Sequence, residues 1–340
     1  MKILVIRFSS LGDCVLLCPL IEHLKAQGAD EVAVVTKTVY AELFAAARGL
    51  DRVVALEPGT GLAGLRRVIE ACRGRDYLVL DAHSTTRSRL ISMGLGGSDA
   101  RVKKYYRQRL GLIILKRQTR LPSVGGRYSA LAESLGFPGV AKTVGGIRVP
   151  DAVRKRIDPL MPQNGRRTII IAPGSRWPMK QWGEEKFLEL TRRMTENYGC
   201  NVILIGDRRE AGTTGRIRES VDTYATDLAG QLSIMETAAV IERSKGFVGN
   251  DSGLMHLAEA VGVPVLGLFG PTVEAFGYFP SGPGSKVIER DIGCRPCSRN
   301  GSRRCPKGTQ ECLVEIPVAP VERAVADLLE KRGDSRYILQ

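Results

Sequence analysis

Four segments carry side chains suited to holding an anion and moving a proton. Gly249-Asn250-Asp251-Ser252-Gly253-Leu254-Met255-His256 puts a carboxylate, a hydroxyl and an imidazole on a turn of small residues. Where such a turn feeds a helix, unpaired N–H groups and partial positive charge suit a phosphate. Asp251 or Ser252 would also cap that helix, a purely local role. Gly270-Pro271-Thr272 is either a plain breaker turn or the rim of a diphosphate site beside the first motif. Residues 173–182 offer the Ser175 hydroxyl and the charges of Arg176 and Lys180 for a phosphate or leaving group. The alternative is a basic surface loop anchored by Trp177 and Trp182, the two tryptophans of the chain.

The fourth segment is Ser9-Ser10-Leu11-Gly12-Asp13. It matches neither the Gly-rich dinucleotide fingerprint nor a P-loop. Asp13 at a helix start is either a dipole-favoured carboxylate or a general base aimed into a cleft. Gly12 beside it would let the backbone come close to a ligand.

Two further features are chemically suggestive. Cys294-x2-Cys297-x7-Cys305-x6-Cys312 reads as a structural zinc or iron–sulfur site or as a reduced, cysteine-rich surface loop. Cys14, Cys18, Cys72 and Cys200 lie in apolar surroundings and read as buried thiols. Between Arg101 and Arg120 the chain is strongly basic, and no acidic residue occurs between 101 and 132. That run is a solvated helix face or an anion-binding surface.

These segments need elements to hold them. Apolar runs at 2–7, 31–36, 52–56 and 77–83 predict strands, alternating with helices over 14–28, 38–49 and 62–74. A proline-bearing, charged stretch at 150–167 reads as a linker. The alternation restarts with strands at 168–175, 201–207, 245–251 and 263–270. Helices over 183–199, 209–220, 232–244 and 252–262 separate or follow them, and 321–333 closes the chain. The pattern predicts an α/β protein of two doubly wound, Rossmann-like domains facing a central cleft. Residues 1–155 form the first, residues 166–318 the second. A helix over 319–335 is expected to pack back toward the first.

The 340 residues are 43% hydrophobic and 25% charged, which excludes a disordered, collagen-like or polytopic membrane chain. The net charge of +14 predicts anionic partners. An aromatic content of 6% argues against base-stacking platforms, and no nucleic acid is expected. Arg7 and Gly12-Asp13 interrupt the first apolar run, so neither a secretory signal nor a membrane span is expected. The expected location is cytoplasmic.

The opening KILVIRFSSLGD, the loop GSRWPMKQW and the stretch GNDSGLMHLAEAVGVPVLGLFGPT, in this order, resemble the ADP-heptose:lipopolysaccharide heptosyltransferase family. The resemblance runs from Lys2 to about Thr272. It implies a GT-B fold and inverting transfer of heptose from ADP-heptose, or a related nucleotide sugar, to a lipid A–Kdo-type glycolipid acceptor. It implies chemistry without a metal, at the cytoplasmic face of an anionic inner membrane. By the same resemblance Asp13 matches the catalytic base. Ser175 and Lys180 match contacts to the donor phosphates, and Asp251, Ser252, Gly253 and His256 the donor motif. Leu232 falls near adenine and Glu210 near the ribose. Ser10, Gly12 and Arg87 lie on the acceptor side. Well-known members often carry Asp-Thr where this chain has Asp251-Ser252, and the best-known enterobacterial members lack the cysteine segment. The competing readings are a transferase of the same fold with another sugar or acceptor, a Rossmann oxidoreductase, and a non-enzymatic binder of anionic surfaces.

Overall fold

The computed structural model describes residues 1–116, 119–221, 224–302, 304–330 and 337–339. They divide into two units. The first comprises Met1–Tyr105 and Pro122–Pro150, the second Tyr106–Leu121 and Asp151–Gln340.

The first unit is built on strands β1 (Lys2–Ile6), β2 (Glu31–Lys37), β3 (Arg52–Leu56), β4 (Tyr77–Asp81) and β5 (Ala100–Arg101). Their order is β3-β2-β1-β4-β5, every pair parallel. A parallel sheet is covered on both faces, and β1 and β2 are accordingly apolar without alternation. Leu4, Ile6, Ala33, Val35, Val79 and Ile91 lie in one core cluster. Moving from β3 to β1 and then across to β4 reverses the winding, so the carboxyl ends of β1 and β4 flank the switch point where ligands bind in such sheets.

The second unit holds β6 (Thr168–Ala172), β7 (Asn201–Leu204), β8 (Ala225–Asp227), β9 (Gly246–Asn250), β10 (Val265–Phe269), β11 (Lys286–Arg290) and β12 (Tyr337–Leu339). The order is β12-β11-β10-β9-β6-β7-β8, again all parallel. Here the winding reverses between β6 and β9. Ile169, Ile171, Val248, Leu266 and Leu268 of the sheet pack with Trp182, Phe187 and Leu190.

Several expectations are revised. The run expected as one helix over 14–28 is two, Leu11–Val15 and Cys18–Ala26. Pro19 has no N–H to continue the first, and it sits in the opening turn of the second. Asp13 lies in the first turn of the Leu11–Val15 helix, the helix start at which it was placed, although that helix begins three residues earlier than expected. The unit boundary also moves. Asp151–Ile157 belongs to the second unit, tied there by Arg154, whose Nε and Nη2 donate to Glu242 at 2.7 and 2.8 Å. Tyr106–Leu121 belongs to it as well. The closing helix, Val318–Leu329, buries Val321, Ala324, Val325 and Leu328 in the core of the second unit.

Candidate functional site

Each switch point carries a cluster of charged and polar side chains. In the first unit β1 ends at Ile6, and Arg7 follows it, buried. Its Nη2 meets Asp13 Oδ2 at 2.6 Å, and its Nη1 donates to the Ala82 carbonyl at 2.6 Å. One guanidinium thus ties the first helix to the end of β4. Ser10 donates its hydroxyl and its N–H to the same Asp13 oxygen, at 2.9 and 3.2 Å. The carboxylate is held in one orientation, which a positioned proton acceptor requires. Gly12 is buried beside it. Arg87 is exposed on the Thr86–Gly94 helix that follows β4.

At the end of β4, buried Asp81 accepts N–H groups of His83 and Ser84 and pairs with Arg101 at 2.9 Å. The His83 ring stands edge-on to Phe8, 5.1 Å between centroids. Burial, and then the charges of Arg7 and Lys104, hold its pKa down at about 4. His83 is therefore a neutral imidazole at neutral pH. An unfolded chain protonates this ring near its ordinary pKa of about 6.5, whereas the folded one resists until about 4. Its contribution to stability is complete above the first value and is lost as pH falls through the second. The loss of Tm between about pH 7 and about pH 5 should then be smaller in His83→Gln than in the parent. Equal losses would remove His83 from the acid sensitivity of the fold.

In the second unit the segment after β9 presents Asp251, with Ser252 at the N-cap position of the Gly253–Ala260 helix but making no side-chain cap hydrogen bond. Lys180 Nζ lies 2.5 Å from Asp251 Oδ2, and Thr272 donates its hydroxyl to the same oxygen at 2.7 Å. The loop after β6, the motif after β9 and the turn after β10 therefore converge on one buried carboxylate. Ser252 Oγ is buried and has no hydrogen-bond partner. Asn250 fixes the arrangement. Its Nδ2 donates to the Pro173 carbonyl at 2.7 Å, and its Oδ1 accepts the Trp182 N–H at 3.1 Å. Trp182 is in turn buried and donates Nε1 to the Ile316 carbonyl. This is why the loop carries its tryptophan: the indole anchors it to the core. Ser175 is buried in that loop.

His256 lies buried on the same helix, 6.2 Å from the Tyr278 ring. Its Nδ1 is 4.0 Å from Glu259 Oε2. Burial raises the Glu259 pKa against the opposing pull of the Gly282 and Ser281 N–H groups, which its Oε1 accepts. Glu259 thus anchors the segment after Tyr278. Glu210 stands at the start of the Ala211–Glu219 helix, its pKa raised by burial. Its carboxylate lies over Gly174 and Gly206, where an added Cβ would come within 2.0 and 2.6 Å of it. Only glycine leaves this space, at the ends of β6 and β7. Leu232 is half-buried just before the Ile234–Glu242 helix.

The cysteine segment lies against this cluster rather than apart from it. A Cβ on Gly301 would come within 2.8 Å of the Lys180 side chain, and one on Gly270 within 3.2 Å of Cys312 Sγ. Arg295 donates to the carbonyls of Gly270 and Thr272 and pairs with Glu289 at 2.6 Å. The four thiols are electrostatic neighbours, Cys312 feeling Cys297, Cys294 and Cys305. Burial pushes Cys305 up, but the N–H groups of Gln310, Lys307, Gly308 and Thr309 outweigh it and leave the thiol below its ordinary pKa. Among the described residues no group of three or more metal-ligating side chains is arranged to hold an ion. The zinc or iron–sulfur alternative for this segment is thus unsupported.

Comparison with known proteins decides what these clusters belong to. Residues 65–307 match the model of glycosyltransferase family 9 (heptosyltransferase), more than half of the chain. The chain belongs to glycosyltransferase family 9. It is 26% identical over 315 residues to lipopolysaccharide heptosyltransferase 1 of Pseudomonas aeruginosa, covering 87% of this chain and 86% of that one. It is 28% identical over 173 residues to lipopolysaccharide heptosyltransferase 2 of Salmonella typhimurium, about half of each. Among solved structures, the E. coli ADP-heptose lps heptosyltransferase II superposes with a TM-score of 0.77 at 22% identity, over 97% of this chain and 99% of that one. The E. coli heptosyltransferase WaaC with ADP gives 0.71 at 19%, over 96% and 100%. This family 9 glycosyltransferase therefore has the GT-B fold, with two parallel-sheet, Rossmann-like halves. Membership also overturns the oxidoreductase and non-enzymatic alternatives.

The structure adds Arg7, His83, Asp81, Glu259 and Arg295 to the residues singled out in the sequence, and gives Asn250 of the first motif its positioning role. A signal existed for the first: an arginine closing an apolar strand is buried only with a partner, and Asp13 stands six residues on. The sequence Asp-Ala-His at the end of β4 carried the same kind of hint.

Proposed function

We propose that this protein transfers heptose from ADP-heptose to an inner-core acceptor of lipopolysaccharide, with inversion and without a metal. The acceptor hydroxyl attacks the anomeric carbon as the bond to the β-phosphate oxygen breaks, and ADP departs. Asp13 takes the hydroxyl proton. Lys180 and the N–H groups at Ser252 and Gly253 balance the charge growing on the leaving diphosphate. Ser175 and His256 complete the phosphate contacts, Glu210 takes the ribose, and Leu232 packs near adenine. Ser10, Gly12 and Arg87 serve the acceptor. Among the described residues no helix is long and apolar enough to cross a membrane. We place the enzyme in the cytoplasm, peripheral on the cytoplasmic face of the inner membrane, where a lipid-linked acceptor is reached.

One observation carries this reading: the buried Asp251, bound by Lys180 and Thr272, stands at a helix start where Ser252 Oγ has no partner. A diphosphate would take up both the lysine and the open helix start. ADP should therefore raise Tm more than AMP, and more than UDP, by mass action. Equal shifts for AMP and ADP would contradict the diphosphate placement, and equal shifts for ADP and UDP the choice of nucleotide.

A further inference from the structure

The Tyr106–Leu115 helix is fixed to the second unit by one face and open along another. Arg109 and Leu112 are buried. Arg109 donates Nη2 to the Phe276 carbonyl at 3.0 Å and stacks over the Phe276 and Tyr278 rings. Just past the helix, Lys116 Nζ donates to the carbonyls of Cys294 and Pro296, both at 2.7 Å. The open face carries Tyr106, Leu110 and Ile114, spaced i, i+4, i+8, with Leu115 beside them, each more than half exposed. That spacing lines one stripe of a helix. These are four of the twelve large apolar side chains exposed among the described residues, gathered on one ten-residue helix.

Apolar exposure on that scale marks a contact surface, and charge identifies the partner. Arg107, Lys116 and Arg120 are exposed along the same segment, and the Arg299 guanidinium stands over the Tyr106 ring at 5.4 Å. No acidic residue occurs between 101 and 132. A second copy of this surface would bring like charges together. An anionic lipid surface matches both the stripe and its rim: the exposed apolar side chains would reach the headgroup–acyl boundary while the flanking cations meet the anionic headgroups.

We propose that the Tyr106–Leu115 helix is the membrane-docking element of this enzyme, its Tyr106–Leu110–Ile114 stripe seated in an anionic bilayer. The proposal rests on the reading of a lipid-linked acceptor and names the surface that reaches it. Cosedimentation with vesicles of phosphatidylglycerol and phosphatidylcholine, against phosphatidylcholine alone, tests it in the full chain. Binding should favour the anionic vesicles at least tenfold and weaken with salt. Leu110→Ser with Ile114→Ser should lower binding about tenfold or more, while the Tm shift by ADP stays that of the parent. A milder Ile114→Trp variant keeps the test open if the double variant misfolds, because brominated lipid should quench its added fluorescence. Parent-like binding by the double variant, indifference to lipid charge, or absence of quenching would overturn the proposal. So would a dimer that dissociates in the double variant while vesicle binding is retained; the stripe would then join two copies. Sugar transfer is read separately on a deacylated, soluble acceptor. Transfer there without vesicle binding defeats the docking surface alone, and vesicle binding without transfer on any acceptor defeats the functional reading alone.

Discussion

Asp13→Asn should lower kcat by roughly 10²–10⁴-fold, the usual contribution of a positioned general base. The amide keeps the shape and accepts a hydrogen bond from Ser10, but it cannot take a proton. It also ends the charge pairing with Arg7, which in the parent lies 2.6 Å away. Because Arg7 is also held by the Ala82 carbonyl, the guanidinium keeps an anchor when the carboxylate is lost. The Tm shift produced by ADP should be unchanged, since Lys180, Asp251 and Ser252 belong to the other unit. Ser10→Ala removes one of the contacts that orient the carboxylate and should cost far less, about tenfold or below. Near-normal turnover in Asp13→Asn would refute the base. A variant that loses ADP response and fold together would show Asp13 to be a structural residue of the Leu11–Val15 helix.

Lys180→Ala is the second large effect. Under the proposed function the lysine serves both stability and catalysis, and its loss should lower both. In the structure it neutralises Asp251, a carboxylate that is almost wholly buried. Removing one partner of a buried pair leaves an uncompensated charge and destabilises by about 3–5 kcal/mol, less whatever Thr272 and entering water recover. In the transfer proposed above it would balance the departing diphosphate, and loss of one such charge typically costs 10²–10³-fold in kcat. Lys180→Ala combined with Asp251→Asn separates the two. The double variant should regain most of the lost Tm and little of the lost turnover. Recovery of both would make Lys180 a structural residue, and wild-type kcat and KM in the single variant would remove it from the site.

The sequence made most of the fold legible where strands are fully buried. β1, β2, β6, β9 and β10 have centres without polar alternation because helices cover both faces of a parallel sheet. The short β5 and β8 at the sheet edges carry too few residues for a periodic signal. β11 was hidden by its charges: Lys286, Glu289 and Arg290 stand in five residues. Lys286 is nevertheless buried, because Asp327 pairs with it at 3.4 Å from the closing helix. No reading of a single segment supplies that partner. The same holds for the cysteine segment, which local spacing suggested as a metal loop. Its contacts with Lys180 and Gly270 depend on the chain returning to β10 after β11. The site motifs were legible because strand ends feeding helix starts are local features. The residues that fix them, Arg7, Asn250 and Trp182, act across 6 to 134 positions of sequence, and only the fold joins those distances.

The most direct test of the account is the product itself. The protein is incubated with ADP-heptose and a purified lipid A–Kdo acceptor, and the lipid is analysed by mass spectrometry and by the anomeric signal of the added sugar. The account predicts an acceptor heavier by one heptosyl unit, one ADP released per unit transferred, and an anomeric configuration opposite to that of the donor. An unchanged acceptor with intact donor, or transfer with the donor's configuration retained, would contradict it.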